Sequence, residues 1–211
     1  MRRVLMILVA LALPASGFAQ SNAFAVFGNH TSFSSTSATD PVEDVTIHIK
    51  FDSKTGYGVS YDRFLSPNLS VQFLGQRLRA DARAVVSGGG ISIGADLGSL
   101  DLNQFDAALH WHFGSGNIRP YIGGGIGSIQ GAKLRVPAEF AGESDETVKF
   151  DNKVTWVADA GVDWRVSPKG SVIFTLKYMP YSTGVDAEPG DPIQRLKLDP
   201  LTYAAGFQWR F

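Results

Sequence analysis

The chain ends in a strict alternation. Leu201, Tyr203, Ala205, Phe207, Trp209 and Phe211 fall on one face, while Thr202, Ala204, Gly206, Gln208 and Arg210 fall on the other. A repeat of two is the period of a β-strand whose two faces meet different surroundings; a helix would repeat every 3.6 residues. The pattern recurs upstream. Val154, Trp156, Ala158, Ala160, Val162 and Trp164 alternate with Thr155, Val157, Asp159, Gly161, Asp163 and Arg165. Val172, Phe174, Leu176 and Tyr178 oppose Ser171, Thr175 and Lys177, and Phe105 to Phe113 oppose Gln104, Asp106, Ala108, His110 and His112. A chain patterned in this way must build sheet.

Turn residues divide the runs. Ser66-Pro67-Asn68, Gly114-Ser115-Gly116-Asn117 and Ser167-Pro168-Lys169-Gly170 are short and rich in Gly, Pro, Ser and Asn, each suited to tight turns. In the N-terminal half, Tyr57, Val59 and Tyr61 oppose Gly58, Ser60 and Asp62, and the odd-numbered phase extends back through Phe51, Ile49, Ile47 and Val45. Asn22 to His30 reads as a first strand with either facing open. Long linkers are expected near 32–44, 85–102, 134–152 and 182–195. Eight strands joined alternately by short turns and long loops form the layout of an antiparallel up-and-down transmembrane β-barrel, with short periplasmic turns and long extracellular loops.

The facing of the two sets follows from cost. The polar set carries Asp106, Asp159, Asp163, Arg165, Lys177 and Arg210, whereas the apolar set is dense in Trp, Phe and Tyr. A basic residue facing lipid at midplane costs about 2–4 kcal/mol. An eight-stranded barrel has an interior just wide enough for side chains. The charges therefore belong inside and the aromatics in lipid. A soluble lipocalin-like barrel would reverse the two faces.

Residues 1–19 read as a signal peptide: Arg2 and Arg3, an apolar stretch from Val4 to Leu13, then Gly17 and Ala19 before cleavage at Gln20. Residues 20–211 are the expected outer-membrane barrel. There is no cysteine, hence no disulfide framework and no lipoprotein anchor. A net charge of −1 offers none of the basic footprint of a nucleic-acid partner.

With those elements in place, a family resemblance emerges. "LKLDPLTYAAGFQWRF" at the C-terminus resembles the closing strand of the OmpW family of small outer-membrane barrels. "IRPYIGGGIG" is similar to its fifth strand, "VADAGVDWRVSPKGSVIFTLKYM" to its sixth and seventh, and "GVSYDRFLSPNLSVQFLG" to its second and third. The resemblance implies an eight-stranded barrel with a narrow apolar channel. It implies passive passage of small hydrophobic molecules, with lateral escape through the wall as one route. Tyr203, Phe207, Trp209 and the terminal Phe211 resemble an assembly signal read by the barrel insertion machinery. The implied partners are outer-membrane lipid, that machinery and small hydrophobic solutes.

Several groups invite a functional reading. His110 and His112 share a face with Asp106, a set that could hold a metal; a polar cluster filling the lumen is the expectation, with no metal. Asp159, Asp163, Arg165, Lys177 and Arg210 complete an expected polar plug. His30 and Ser32 share a face, as in some barrel lipid hydrolases, but no orienting carboxylate or oxyanion donor accompanies them. No enzymatic activity and no cofactor are expected. Ile91, Ile93, Leu97, Leu100 and Leu102 suggest either a greasy extracellular mouth or strand continued above the membrane. Pro137 to Gly142 suggests a short helical turn.

The run "RPYIGGGIGSIQG" holds glycines spaced G-x-G-x-G with no helical pattern after it, so a dinucleotide loop is excluded. It reads as a strand whose inner face is stripped of side chains. Leu74, Tyr121, Gly123, Gly125, Gly127 and Ile173 are the expected channel lining. The alternative to a conduit is a non-transporting structural, receptor or adhesin barrel whose loops carry the function.

Overall fold

The computed structural model describes residues 22–40, 45–88, 91–136, 146–149, 152–185 and 194–211. The expected signal peptide and the helical turn expected at Pro137 to Gly142 lie outside the described residues. All regular structure among the described residues is β. Twelve strands follow in order: β1 (Asn22–Ser32), β2 (Thr36–Asp40), β3 (Val45–Ser66), β4 (Leu69–Gly88), β5 (Ile91–His112), β6 (Ile118–Val136), β7 (Glu146–Lys149), β8 (Lys153–Arg165), β9 (Gly170–Tyr178), β10 (Ser182–Val185), β11 (Gln194–Lys197) and β12 (Leu201–Arg210).

Eight of these close a ring in the order β1-β12-β9-β8-β6-β5-β4-β3, and β1 completes it by pairing with β3. Every contact is antiparallel, so no backbone edge remains within the wall, as a lipid setting demands. The two ends of the described chain meet where the ring closes. Asn22 N–H donates to the Phe211 carbonyl at 3.0 Å, and Phe211 N–H returns a bond to the Asn22 carbonyl at 2.9 Å. The three tight turns and both chain ends share one rim, the short-turn end. Gly114 adopts φ +75°, a left-handed conformation that glycine takes without strain.

The alternation read from sequence is the in-out alternation of the wall. Ala23, Ala25, Phe27, Asn29 and Thr31 point inward on β1, which settles the facing left open there. His30 and Ser32 are on the outer wall. Outward, Trp111, Trp156, Trp164 and Trp209 are 48–53% exposed, alongside Phe105, Leu109, Ile122, Ile126, Phe174 and Phe207. A belt of this size could not be left in water by a monomer; lipid is its natural surrounding.

Two sequence expectations need correction. The odd-numbered phase does not run unbroken through β3. The β3–β4 register shifts between Lys54 and Tyr57, where β3 carries one residue more than β4. One extra residue reverses the facing of everything beyond it. Val59 and Tyr57 therefore face out, while Ile49 and Phe51 pack against the inner apolar cluster. The 85–102 segment is also not a loop. β4 continues to Gly88 and β5 begins at Ile91, paired from Gly88↔Ile91 down to Leu78↔Leu102. Leu100 and Leu102 are buried in the lumen rather than lining an exposed mouth. Each strand supplies the other's hydrogen-bond partners, so the pairing continues beyond the membrane through one register shift between Ala82 and Arg83. Likewise β2, β7, β10 and β11 occupy parts of the other expected linkers.

Candidate functional site

The lumen is the candidate site, and it is filled in layers. At the short-turn end Arg119, Arg165 and Arg210 enter from β6, β8 and β12. Arg210 forms an ion pair with Asp163, and Arg119 donates to the Pro67 carbonyl of the β3–β4 turn. The Phe64 ring lies between two of them, 5.9 Å from the Arg119 Cζ and 4.9 Å from that of Arg210. His112 packs on Phe64 with ring centroids 5.2 Å apart, and its Nε2 meets Ser70 Oγ at 3.0 Å.

Above this layer a connected polar network crosses the barrel. Asn29 donates to Gln76, Gln76 to Gln104 and Gln104 to Asp106, at 3.0, 3.0 and 2.9 Å. Lys177 Nζ then bridges Asp106 at 2.7 Å and Asp159 at 2.9 Å. Asp159 lies 3.1 Å from His110 Nε2, whose Nδ1 faces Asp62 at 3.8 Å. Gln72 and Gln208 each donate to Asp62 at 3.2 Å. Tyr121 stacks on His110 at 4.8 Å and its hydroxyl meets Thr175 Oγ1 at 2.6 Å. All eight wall strands contribute to this layer.

The network is what a confined polar interior requires. A buried charge is tolerated when it is paired and hydrogen-bonded. Lys177, Asp106 and Asp159 have nearly no exposed side-chain surface, so solvent does little to screen them. His110, His112 and Asp106 do share a face, but His110 and Asp106 are committed to Asp159 and Lys177. No metal-type cluster occurs among the described residues.

Beyond the network the lumen turns apolar. Leu78, Leu100, Leu102, Ile129, Val157, Met179, Tyr181 and Leu198 form one buried cluster. Its centre is held by two inward-folded segments. Leu198 N–H donates to the Tyr181 carbonyl at 2.8 Å, Tyr181 N–H to Asp199 Oδ1 at 3.0 Å and Ser34 N–H to the Leu198 carbonyl at 2.9 Å. A second apolar group, Ala25, Phe27, Leu74 and Ile173, sits beside the polar network. Leu74 and Ile173 line a cavity of about 10 Å³ together with Lys177, Gln72 and Gln76. That is room for about one water.

The glycine row needs a corrected reading. A Cβ at Gly123 would overlap Asp159 and His110, and one at Gly127 would lie 2.7 Å from Met179 Sδ. At Gly125 it would strike the Ala107 backbone, and the Tyr121 ring tip fills the space over Gly161. The volume vacated at Gly123 and Gly127 is taken by the chain's own side chains. Tyr121, Gly123 and Gly127 are thus packed by the chain's own side chains, while at Gly125 the backbone of β5 takes the position a Cβ would need.

Asp106, His110, His112, Asp159, Asp163, Arg165, Lys177 and Arg210 do converge in the lumen. Sequence reasoning missed Asn29, Asp62, Gln72, Gln76, Gln104, Arg119 and Gln208 as members. Each lies on the inward phase of its strand, so strand phase was the available signal. The charge pattern gave most of the ions but passed over Asp62 and Arg119, and it says nothing of the amides that bond to them. Tyr203, Phe207, Trp209 and Phe211 all face outward and are exposed.

The sequence matches the family model for the outer membrane protein beta-barrel domain over residues 5–211. The chain belongs to this family. It is an eight-stranded barrel of the Gram-negative outer membrane, and the soluble lipocalin-like alternative falls away. The short-turn rim is periplasmic and the opposite rim extracellular. No curated protein matches the chain in sequence. Among solved structures it is similar to the outer membrane protein OprG of Pseudomonas aeruginosa, at TM-score 0.69 and 14% identity, covering 92% of this chain and 96% of that one. AlkL, determined in lipid bilayers, aligns at TM-score 0.56 and 18% identity, covering 94% of each chain. Neisserial surface protein A aligns at TM-score 0.53 and 14% identity, over 90% of this chain and 99% of that one. These likenesses concern the fold, and they agree with the OmpW-type resemblance carried by the motifs.

Proposed function

We propose that the barrel is a conduit for small hydrophobic molecules, received in an apolar extracellular half and released sideways into the membrane. The observation that carries this reading is the change of lumen chemistry along the axis. The periplasmic half is filled by an ionic and amide network, whereas the extracellular half is lined by Leu78, Leu100, Leu102, Ile129 and Met179. A barrel serving only as a scaffold has no need of that division.

The physics restricts the route. The cavity beside the network holds about 10 Å³, too little for an apolar solute, and entering the network would break buried ion pairs. A solute in the apolar half therefore leaves through the wall. Tyr181 and Leu198 occupy this half and are completely buried. Admission requires the Met179–Tyr181 and Leu198–Pro200 segments to yield, and a few main-chain bonds hold them.

The test is uptake of a fluorescent alkane-type solute into liposomes carrying the folded protein. Uptake should exceed that of empty liposomes and fall at least tenfold in Leu102→Lys. Equal uptake by loaded and empty liposomes removes the conduit reading and leaves a surface role for the extracellular strands.

A further inference from the structure

The periplasmic mouth holds more positive charge than it neutralises. Arg119, Arg165 and Arg210 are mutually close: each acts electrostatically on the others, and Asp163 acts on both Arg119 and Arg210. Asp163 is paired with Arg210. The next acid inward, Asp62, also acts on Arg210 from a distance, but its oxygens accept from Gln72, Gln208 and Ser60 and it lies outside the layer. Three guanidiniums thus share one carboxylate in their own layer.

Their hydrogen bonding is also incomplete. The Nε–H groups of Arg119, Arg165 and Arg210 are all buried without a partner, as are His112 Nδ1, Ser171 Oγ and one Asp163 oxygen. Arg119, Ser171 and His112 are more than nine-tenths buried. An orphaned donor on a buried ion is costly. In the deeper network the buried atoms without a partner are acceptor oxygens, of Asn29, Gln72, Asp159 and Gln208; in the arginine layer buried donors are left over. Phe64 and the Pro67 carbonyl hold the guanidiniums of Arg119 and Arg210, so two of the three are in place before any ligand arrives.

We propose that this layer is a binding site for a phosphate-class oxyanion reaching the barrel from the periplasmic side. Guanidinium forks match the multiple oxygens of such a group and present more than one bond to it. A phosphate near −2 balances the two cations left over after Asp163. Ser171 Oγ adds a neutral donor. The phosphate is either free in the periplasm or the headgroup of an anionic lipid in the inner leaflet. The proposal is independent of what the apolar half carries.

The experiment is calorimetric titration of the folded barrel in a neutral sugar detergent. One arm uses inorganic phosphate, the other a short-chain phosphatidic acid. Arg165, which is half-buried, is changed to Gln, and Lys169 in the neighbouring exposed turn is changed to Gln as the control for surface charge. Saturable binding of inorganic phosphate that weakens at least tenfold in Arg165→Gln, but less than twofold in Lys169→Gln, supports a site for the free ion. Binding only of the phosphatidic acid, with the same sensitivity, supports a headgroup site. No saturable binding in either arm, or equal weakening by both variants, overturns the proposal. Arg165→Lys covers the case in which Arg165→Gln fails to fold. It keeps the charge and loses the fork, and should weaken binding by a smaller factor; unchanged binding there would refute recognition by the guanidinium.

Discussion

Lys177 is the most exacting test of how this lumen is held together. Its ammonium sits 2.7 Å from Asp106 and 2.9 Å from Asp159, and the three side chains are at most 3% exposed. Solvent screening, which reduces exposed pairs to about 0–1 kcal/mol, does not operate here. Lys177→Met keeps most of the volume and removes the charge. Gln104 would still donate to Asp106 and His110 would still face Asp159, but neither replaces a cation between the two carboxylates. Removing one partner of a buried pair costs about 3–5 kcal/mol. With two carboxylates stranded the upper end applies, nearly four decades in the unfolding constant at about 1.36 kcal/mol per decade. Adding Asp106→Asn takes away one stranded charge and leaves Asp159 with His110, so the double variant should regain more than half of the loss. The assay is reversible urea unfolding from phosphatidylcholine vesicles, followed by tryptophan fluorescence. A single variant within 1 kcal/mol of the parent, or a double variant no more stable than the single, would show that the network is not organised around Lys177.

Other expectations follow from the wall and its packing. Gly123→Ala should cost about 1–3 kcal/mol in the same assay, because its methyl meets Asp159 and His110. Gly124→Ala, with its nearest neighbour at 3.7 Å, should be close to neutral; equal effects would place the glycine row elsewhere than against the plug. Leu109→Arg, in the lipid belt, should destabilise by about 2–4 kcal/mol, and Asn103→Arg, beyond Phe105 on the same strand, by about 0–1. Reversed order would mean the belt has been misplaced. Lipids brominated on the acyl chain should quench the tryptophan emission strongly, since Trp111, Trp156, Trp164 and Trp209 all face outward; resistance to quenching would put them in the lumen.

Strand content, turn positions and the division into lipid and lumen faces were open to a reader of the sequence alone. Period-2 alternation is a local property, and it survives any tertiary arrangement that keeps the strand flat and half-buried. The polar plug was legible for the same reason: charges on the inward phase of β5, β8, β9 and β12 have nowhere else to go in a narrow barrel. The amides that complete the plug were less visible, because nothing in Gln72 or Gln104 by itself says that an acid lies opposite.

What the tertiary structure decided was register and occupancy. The bulge after Lys54 reverses the facing of Ile49 and Phe51, and one inserted residue leaves no mark in an alternating pattern until its partner strand is known. β4 and β5 continue past the membrane because each satisfies the other's backbone, a pairwise fact that composition cannot carry. The inner glycines removed side chains from one strand, as their spacing said. Whether the space became a channel or a socket depended on side chains from β5, β8 and the segment after β9. Those side chains fill it at Gly123 and Gly127. An absent side chain is written in one strand, but what enters the space is set by strands distant in sequence that only folding brings together.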